Sequence, residues 1–564
     1  MRSNVLKALA TCAVFVLATA STAAAQKITD QHIADLIREA ALRAGVAPAI
    51  ASAAPSVQTV PGQGDRPNVR LTLDDAIKLA LDRNLDISVQ RLNPQTFDYS
   101  LASLRAIYKP ALTSTVGTNA NLAPPQNTLQ GVPKGELGIT TTQATYNGGI
   151  AQSIKWGGGA LALTLNNQRA TSNSTTSTLN PAFNTTYQAQ YTQPLLRNFS
   201  IDSTRQQLVV TKLNQDISEI QLQSTIINTL SNVRNAYWDY VFAVQSVEVA
   251  QRSVGLAEQL VKDNQTRVEV GTMAPIDVIQ AQSQAATQRQ NLAIAQGTLR
   301  TNELVLKRLI VSGTQDPNWS ASIDPVDRPD FTPTAIDVPA AVRRALDART
   351  DLAQVKKNLE VNNVTLKYLH NQTLPQADLV ARYGFQGRGG TQINRTGTGL
   401  AGDLGTTTII PGGFSDALST MFNNNFPTWN VQVNVTYPIG TSTQEASYAR
   451  AQLQSNQVEA QLRQIELQIA TDVTNAATQV QNNVERVQAA QSAREFAQKQ
   501  YEAEQSKFEV GMSTNYFVVQ SQRDLATAQN NELQAILAYR RSVVELERLQ
   551  QTSTTSSNIT IVGR

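Results

Sequence analysis

Two hydrophobic periods, one near 3.6 residues and one of 2, divide this chain into helices and strands. From Val458, apolar side chains recur at Leu462, Ile465, Ile469, Val473, Ala476, Val480, Val484 and Val487. These steps of four and three approach an eleven-residue repeat, which keeps a helix nearly straight where a strict heptad would supercoil it. No proline or glycine lies between Ser442 and Val510, so the spacing predicts one helix about 100 Å long at ~1.5 Å per residue. Ile201 to Val270 reads the same way, interrupted only by Gly255. Helices of that length outrun a globular core and must pack side by side along a rod or tube.

The period of 2 is clearest in WNVQVNVTYPI (429–439), which sets Trp429, Val431, Val433, Val435 and Tyr437 against Gln432, Asn434 and Thr436. Such alternation, with aromatics near the ends, suits a transmembrane β-strand with lipid on one side and water on the other. A half-buried soluble sheet alternates identically. Leu379, Ala381, Tyr383 and Phe385 form a similar face before a Gly-rich stretch at 384–405, as do Tyr187, Ala189 and Tyr191 before Pro194, and Ala111 to Gly117 is a weaker strand. Ala144, Tyr146, Ile150, Ile154 and Trp156 alternate down to Gly157–Gly159, and Leu161, Leu163 and Leu165 lead away, which predicts a hairpin. Whether it joins the other strands, making six rather than four, stays open. Residues 414–426 (FSDALSTMFNNNF) suggest a short helix within a loop. Two strands per half cannot close a barrel, and lipid does not tolerate open edges. A membrane reading therefore demands oligomerisation.

The pattern occurs twice. RVEVGTMAPIDVIQAQSQAATQRQN (267–291) aligns without a gap on KFEVGMSTNYFVVQSQRDLATAQNN (507–531), including Val270-Gly271 on Val510-Gly511. Earlier, LALDRNLDI (79–87) pairs with RALDARTDL (344–352), and Pro110 with Pro375. The expected organisation is a first repeat over 71–336 and a second over 337–550. In the first, a helix precedes strands in 111–195 and long helices in 200–310; in the second, a helix precedes strands in 376–440 and long helices in 442–550.

The N-terminus carries an address. Arg2 and Lys7 precede a short apolar run, and Ala23-Ala24-Ala25 before Gln26 offers a small-residue cleavage site. A signal peptide over 1–25, cut between Ala25 and Gln26, is expected. Residues 26–70 read as a short amphipathic helix and a linker, and 551–564 as a disordered polar tail.

Composition narrows the function. Lys and Arg number 47 against 44 Asp and Glu, so no field for nucleic acid is implied. One cysteine, Cys12 in the leader, and two histidines leave no disulfide framework and no Cys/His metal cluster. Acidic residues are scattered along long helices instead of converging, so neither an enzyme nor a cofactor is expected. Charged residues make up only 16%, and Gln, Asn, Ser and Thr take their place on the helices. Uncharged polar faces suit helices with neighbours on two sides and water on a third, the geometry of a tube wall.

Duplicated halves of this kind resemble the TolC-like outer-membrane efflux protein family. LTLDDAIKLALDRN (71–84), YTQPLLRNFS (191–200), TYPIG (436–440) and the VG turns at 270–272 and 510–512 carry the resemblance, which spans Leu71 to Gln550. It implies a mixed α and β membrane protein: a homotrimer sharing an outer-membrane β-barrel, usually four strands per protomer, continued by a periplasmic α-helical barrel. It further implies a periplasmic adaptor and an inner-membrane pump or ATP-driven translocator as partners, with outer-membrane lipid around the barrel. Val270, Gly271, Thr272, Val510, Gly511 and Met512 become candidate adaptor-docking turns, with Thr272 or Ser513 capping the helix that follows. Asp277 matches an acidic gate position, whereas the second half holds Phe517 and Gln520 there, which would seal by apolar contact. Trp156, Trp429, Tyr437, Tyr191 and Tyr383 are candidate membrane-interface aromatics. The rival expectation is an exported coiled-coil structural protein with a soluble β-region.

Overall fold

A computed structural model of the chain describes residues 67–125, 131–133, 135–328, 331–333, 335–396, 406–440 and 442–552. The cleavage site at Ala25 and Gln26, the helix expected within 26–66 and most of the expected tail lie outside the described residues.

The described chain begins with strand β1 (Asn68–Leu71), so Asn68 to Arg70 are not linker as expected: they pair in parallel with β6 (Ser322–Pro325). Two helices follow, α1 (Leu73–Arg83) and α2 (Leu85–Ala106), where the sequence suggested one. The break is Asn84, whose extended backbone ends α1 while its side-chain oxygen accepts from the Asp86 and Ile87 amides and caps α2. Strands β2 (Ala111–Ala123), β3 (Ile139–Ser153), β4 (Ala160–Ser172) and β5 (Leu179–Pro194) come next. Then α3 (Ser203–Glu269) and α4 (Pro275–Ile310) form a long hairpin, followed by the single turn α5 (Pro317–Ser320) and β6.

The second half has α6 (Val338–Ala348), α7 (Thr350–Gln372), β7 (Gln376–Thr396), β8 (Thr406–Ile410), α8 (Phe414–Phe422), β9 (Pro427–Thr436), α9 (Thr443–Glu509) and α10 (Asn515–Gln550). Both α3 and α9 are 67 residues long, and both α4 and α10 are 36. Asp202 caps α3 by accepting from the Arg205 amide, and Ser442 with Glu445 forms a capping box at α9.

Strands run β2-β3-β4-β5-β7 in one antiparallel sheet, with β8 and β9 sharing the far edge of β7. Cross-strand partners share a face, so the register sorts every side chain. Ile150, Leu163, Ala189, Tyr383 and Trp429 lie in one row, and Gln152, Leu161, Tyr191, Ala381 and Val431 in the next. The opposite face carries Thr113, Thr145, Gln168, Asn184, Gln188 and Asn434. One face is thus apolar from β2 to β9, the other polar.

Beneath the sheet the helices form a single layer. α2 packs on α3, α3 on α7 and α7 on α9, each below the strand it joins; further down, α4 packs on α3, α3 on α10 and α10 on α9. Three apolar clusters lie along this layer. The first surrounds Tyr237, whose hydroxyl sits 3.0 Å from the Leu71 carbonyl and 2.9 Å from the Asp327 carboxylate; burial and that carboxylate push its pKa up. The second joins α6, α9 and α10 through Ile469, Val473, Val480 and Val487, four of the positions picked out by the helical period. The third holds the hairpin tips together. Among the described residues no helix is long and apolar enough to cross a membrane.

The Gly-rich stretch from 384 does not end the strand as expected: β7 continues through it to Thr396. These glycines make room for α8, which lies on the apolar face of the sheet. A Cβ at Gly387 would stand 1.9 Å from the Ala417 carbonyl oxygen, and one at Gly389 2.5 Å from the Ala417 amide. Trp156 also departs from expectation, because β3 stops at Ser153 and Trp156 projects from the glycine turn, edge-on to Phe199.

Two outcomes are expected. Gly387→Ala should dislodge α8 and lower the unfolding temperature of the purified protein, whereas Gly148→Ala, with open space for its Cβ, should leave it unchanged. The second concerns Asp316, which accepts from the Ser312 and Asn318 amides and from Arg83 at 3.0 Å. Burial alone would raise its pKa, but these partners hold it below the ordinary carboxylate value. Its stabilisation is therefore fully present above the unfolded-state pKa and fades as pH falls through the lower folded value. Asp316→Asn should remove about 1–3 kcal/mol near neutrality and flatten that acid-side loss in a pH series of thermal melts.

Candidate functional site

Two regions collect the candidate residues, the hairpin tips and the apolar face of the sheet. At each tip a long helix ends in the same way. Gly271 (φ 77°) and Gly511 (φ 81°) adopt the left-handed conformation that a side chain disfavours. The Thr272 amide donates to the Arg267 carbonyl and the Gly271 amide to that of Val268; Met512 to Lys507 and Gly511 to Phe508 repeat the arrangement. This is the two-bond Schellman closure of a helix C-terminus. Thr272 and Ser513 do not cap the following helices as expected. The Thr272 hydroxyl turns back to the Arg267 carbonyl and that of Ser513 donates to Glu504, while the N-caps are Ala274 and Thr514, neither making a side-chain cap bond. Pro275, at the first position of α4, sets its helical φ without one. Val270, Gly271, Thr272, Val510, Gly511 and Met512 all face solvent.

The first turns of α4 and α10 are held together. Asn264 on α3 is fully buried and donates to the Asn515 side-chain oxygen at 2.8 Å; Asn515 donates to the Asp277 carbonyl at 3.2 Å. Beside them the Arg267 guanidinium lies 4.3 Å from the Phe508 ring centre and donates to the Phe508 carbonyl. Two turns higher, Arg523 donates to buried Gln284. Asp277 is half-buried and joins this link through its backbone. Phe517 is exposed, its ring edge-on to exposed Tyr516 at 5.6 Å, and Gln520 is exposed and bonded to Asp524.

Sequence reasoning located the turns but missed the link. Asn264 and Asn515 could have been flagged by comparing the halves: at an offset of 240, Asn264 faces Glu504 and Asn515 faces Pro275, whereas Arg267 faces the equally basic Lys507 and gives no such signal. Residues that break the internal match are the ones that join the hairpins.

On the sheet, Trp429 and Tyr383 are cross-strand neighbours on the apolar face and both are exposed. Tyr437 lies just past the end of β9, eight positions from Trp429 and about 26 Å along an extended chain. Trp156 lies at that same helix-side end, whereas Tyr191 shares the row of Val431, next to that of Trp429, and donates to Gln193. Two aromatic levels thus flank the exposed Val431, Val433 and Val435. Among the described residues no group of acidic, His or Cys side chains is arranged to hold a metal.

Known proteins share this architecture. The outer-membrane channel CmeC of Campylobacter jejuni superposes with a TM-score of 0.59 at 14% identity, covering 87% of this chain and 90% of its own. The outer membrane protein VceC of Vibrio cholerae gives 0.58 at 14%, covering 85% and 95%. The open state of the Neisseria gonorrhoeae MtrE outer-membrane channel gives 0.55 at 14%, covering 89% and 97%. At this identity the likeness is one of fold. No curated protein matches the chain. The sequence model described as outer membrane efflux protein matches residues 76–311 and 337–550, nearly the whole of both halves. The chain therefore belongs to the outer membrane efflux protein family, with its sheet in the outer membrane and its helical tunnel in the periplasm.

Proposed function

We propose that three copies of this chain close around a common axis into a passive exit duct that carries small molecules or proteins from a periplasmic pump assembly to the exterior. The observation that carries the reading is the exposed apolar face of the sheet, bounded by two strand edges that have no partner among the described residues. Lipid suits such a face, and only closure suits such edges. The helical layer is unfinished in the same places. α2 and α4 on one flank expose Val89, Tyr99, Ile276, Ile279 and Ile294, and α9 on the other exposes Leu453, Leu467 and Phe496. Burying both flanks against copies of the chain removes this surface from water and leaves the polar strand face lining the bore. A soluble coiled-coil protein would leave the sheet face uncovered, which argues against that alternative.

Energy for transport would come from an inner-membrane pump or ATP-driven translocator, reached through a periplasmic adaptor. The two tips suit docking: each ends in a closed turn with an exposed apolar side chain, Val270 on one and Val510 with Met512 on the other. The link through Asn264 and Asn515 holds the tips shut. Its polar groups are incompletely matched, since the Asn264 side-chain oxygen has no hydrogen-bond partner among the described residues, so the closed arrangement is open to rearrangement when an adaptor binds. Phe517, on the same first turn as Asn515, acts as the apolar seal, with Asp277 and Gln520 beside it.

Purified protein should require detergent and give discrete conductance steps in planar bilayers; no steps, together with extraction into plain buffer, would sink the duct reading. Phe517→Ala should raise the conductance, and an unchanged value would remove Phe517 from the gate. Asn515→Ala leaves buried Asn264 with only its long 3.5 Å bond to the Asp277 carbonyl, a loss of about 1–3 kcal/mol, so the open-to-closed ratio in single-channel records should rise roughly 5- to 150-fold.

A further inference from the structure

We propose that each chain contributes six strands to the wall, so that three copies close an eighteen-strand barrel. The inference rests on the duct reading and deepens it.

The strands in question are β3 and β4, inserted between the two strands that join helices in the first half. They are neither peripheral nor loosely attached. β3 pairs with β2 over its whole length, β4 with β3 and β5, and together they hold β2 and β5 three strand positions apart. Their side chains obey the rule of the whole sheet. Tyr146, Ile150, Leu161, Leu163 and Leu165 continue the apolar face, while Asn147, Thr164 and Asn166 look the other way. A hairpin standing in water beside the barrel would have no use for a lipid-type face in register with its neighbours.

The occupant of each open edge is a second copy of the chain. β2 runs away from the helices and β9 toward them, so β9 of one copy meets β2 of the next antiparallel, continuing the alternation of the sheet. β9 is exposed at every residue and β2 at all but its last. Both edges lie directly above the apolar helix flanks, so one seam serves sheet and tunnel.

Cys12 is the sole cysteine, so single-cysteine variants can be built in a Cys12→Ser background. Asn166→Cys should react with a charged, membrane-impermeant thiosulfonate at least about tenfold faster than Leu163→Cys, which the apolar surroundings protect. Its modification should also lower single-channel conductance. Equal reaction at both positions, or modification of Asn166→Cys without effect on conductance, would place the hairpin outside the wall and overturn the proposal. Electron cryomicroscopy of the unmodified trimer should count eighteen strands, and a count of twelve would overturn it even if both variants fail to assemble. Conductance steps of the unmodified protein with a twelve-strand barrel would leave the duct reading standing and remove only this one.

Discussion

A strand edge in hydrocarbon leaves its N–H and C=O groups with nothing to bond, at several kcal/mol each, and β2 and β9 each present such an edge. Among the described residues neither edge has a partner, and the strands between are already paired on both sides. Helices α2, α4 and α9, which bound the helical layer, expose apolar side chains. On the proposed reading the single chain is one panel of a closed wall and not a finished body. Its internal clusters hold the panel in shape, while the panel's margins specify how it is to be joined.

The helical layer obeys a different economy. A 67-residue helix gains little from its own propensity and is held by packing along its length. In α9 the buried positions recur at the spacing of the sequence pattern, and Asn483 among them donates to the Ala538 carbonyl of α10. Midway along α3, where β1 and β6 brace the wall, the packing includes buried tyrosine hydroxyls bonded to backbone carbonyls. At the far end the apolar cluster is smaller and polar links carry more of the contact between hairpins. The gradient runs from a rigid brace to a tip that can rearrange.

Much of this was legible in the residues. Helical period, the capping serine at 442, the glycines at 271 and 511 and the offset of 240 are local signals, and the corresponding elements begin and end where those signals stand. Strand alternation was equally clear in β9. What escaped was decided by distant contacts. The strand face was legible only up to the glycines of β7, because their reason, the close approach of α8, lies some thirty residues further along. Four-residue β1 and β6 are too short for any periodicity to register, and they pair across 254 positions. Asn264 and Asn515 are ordinary polar helix residues until the fold brings them together over 251 positions. Thr272 and Ser513 looked like caps because the residue types were right, but the backbone delays each helix start by a residue or two, and the hydroxyls found other acceptors.

The equal lengths of the paired helices, 67 with 67 and 36 with 36, have a bearing on how such a molecule can change its reach. Residues added to α3 alone would carry its turn past that of α9 and draw Asn264 away from Asn515. Extension must enter both halves together, and by a number that returns each side chain to the same face. Seven residues, two turns, or eleven, three turns, each come back to within about 20° of it. Reach across the periplasm is thus a stepped quantity with increments of about 10–16 Å, and an internal duplication is the simplest genetic arrangement in which both halves could be lengthened in step.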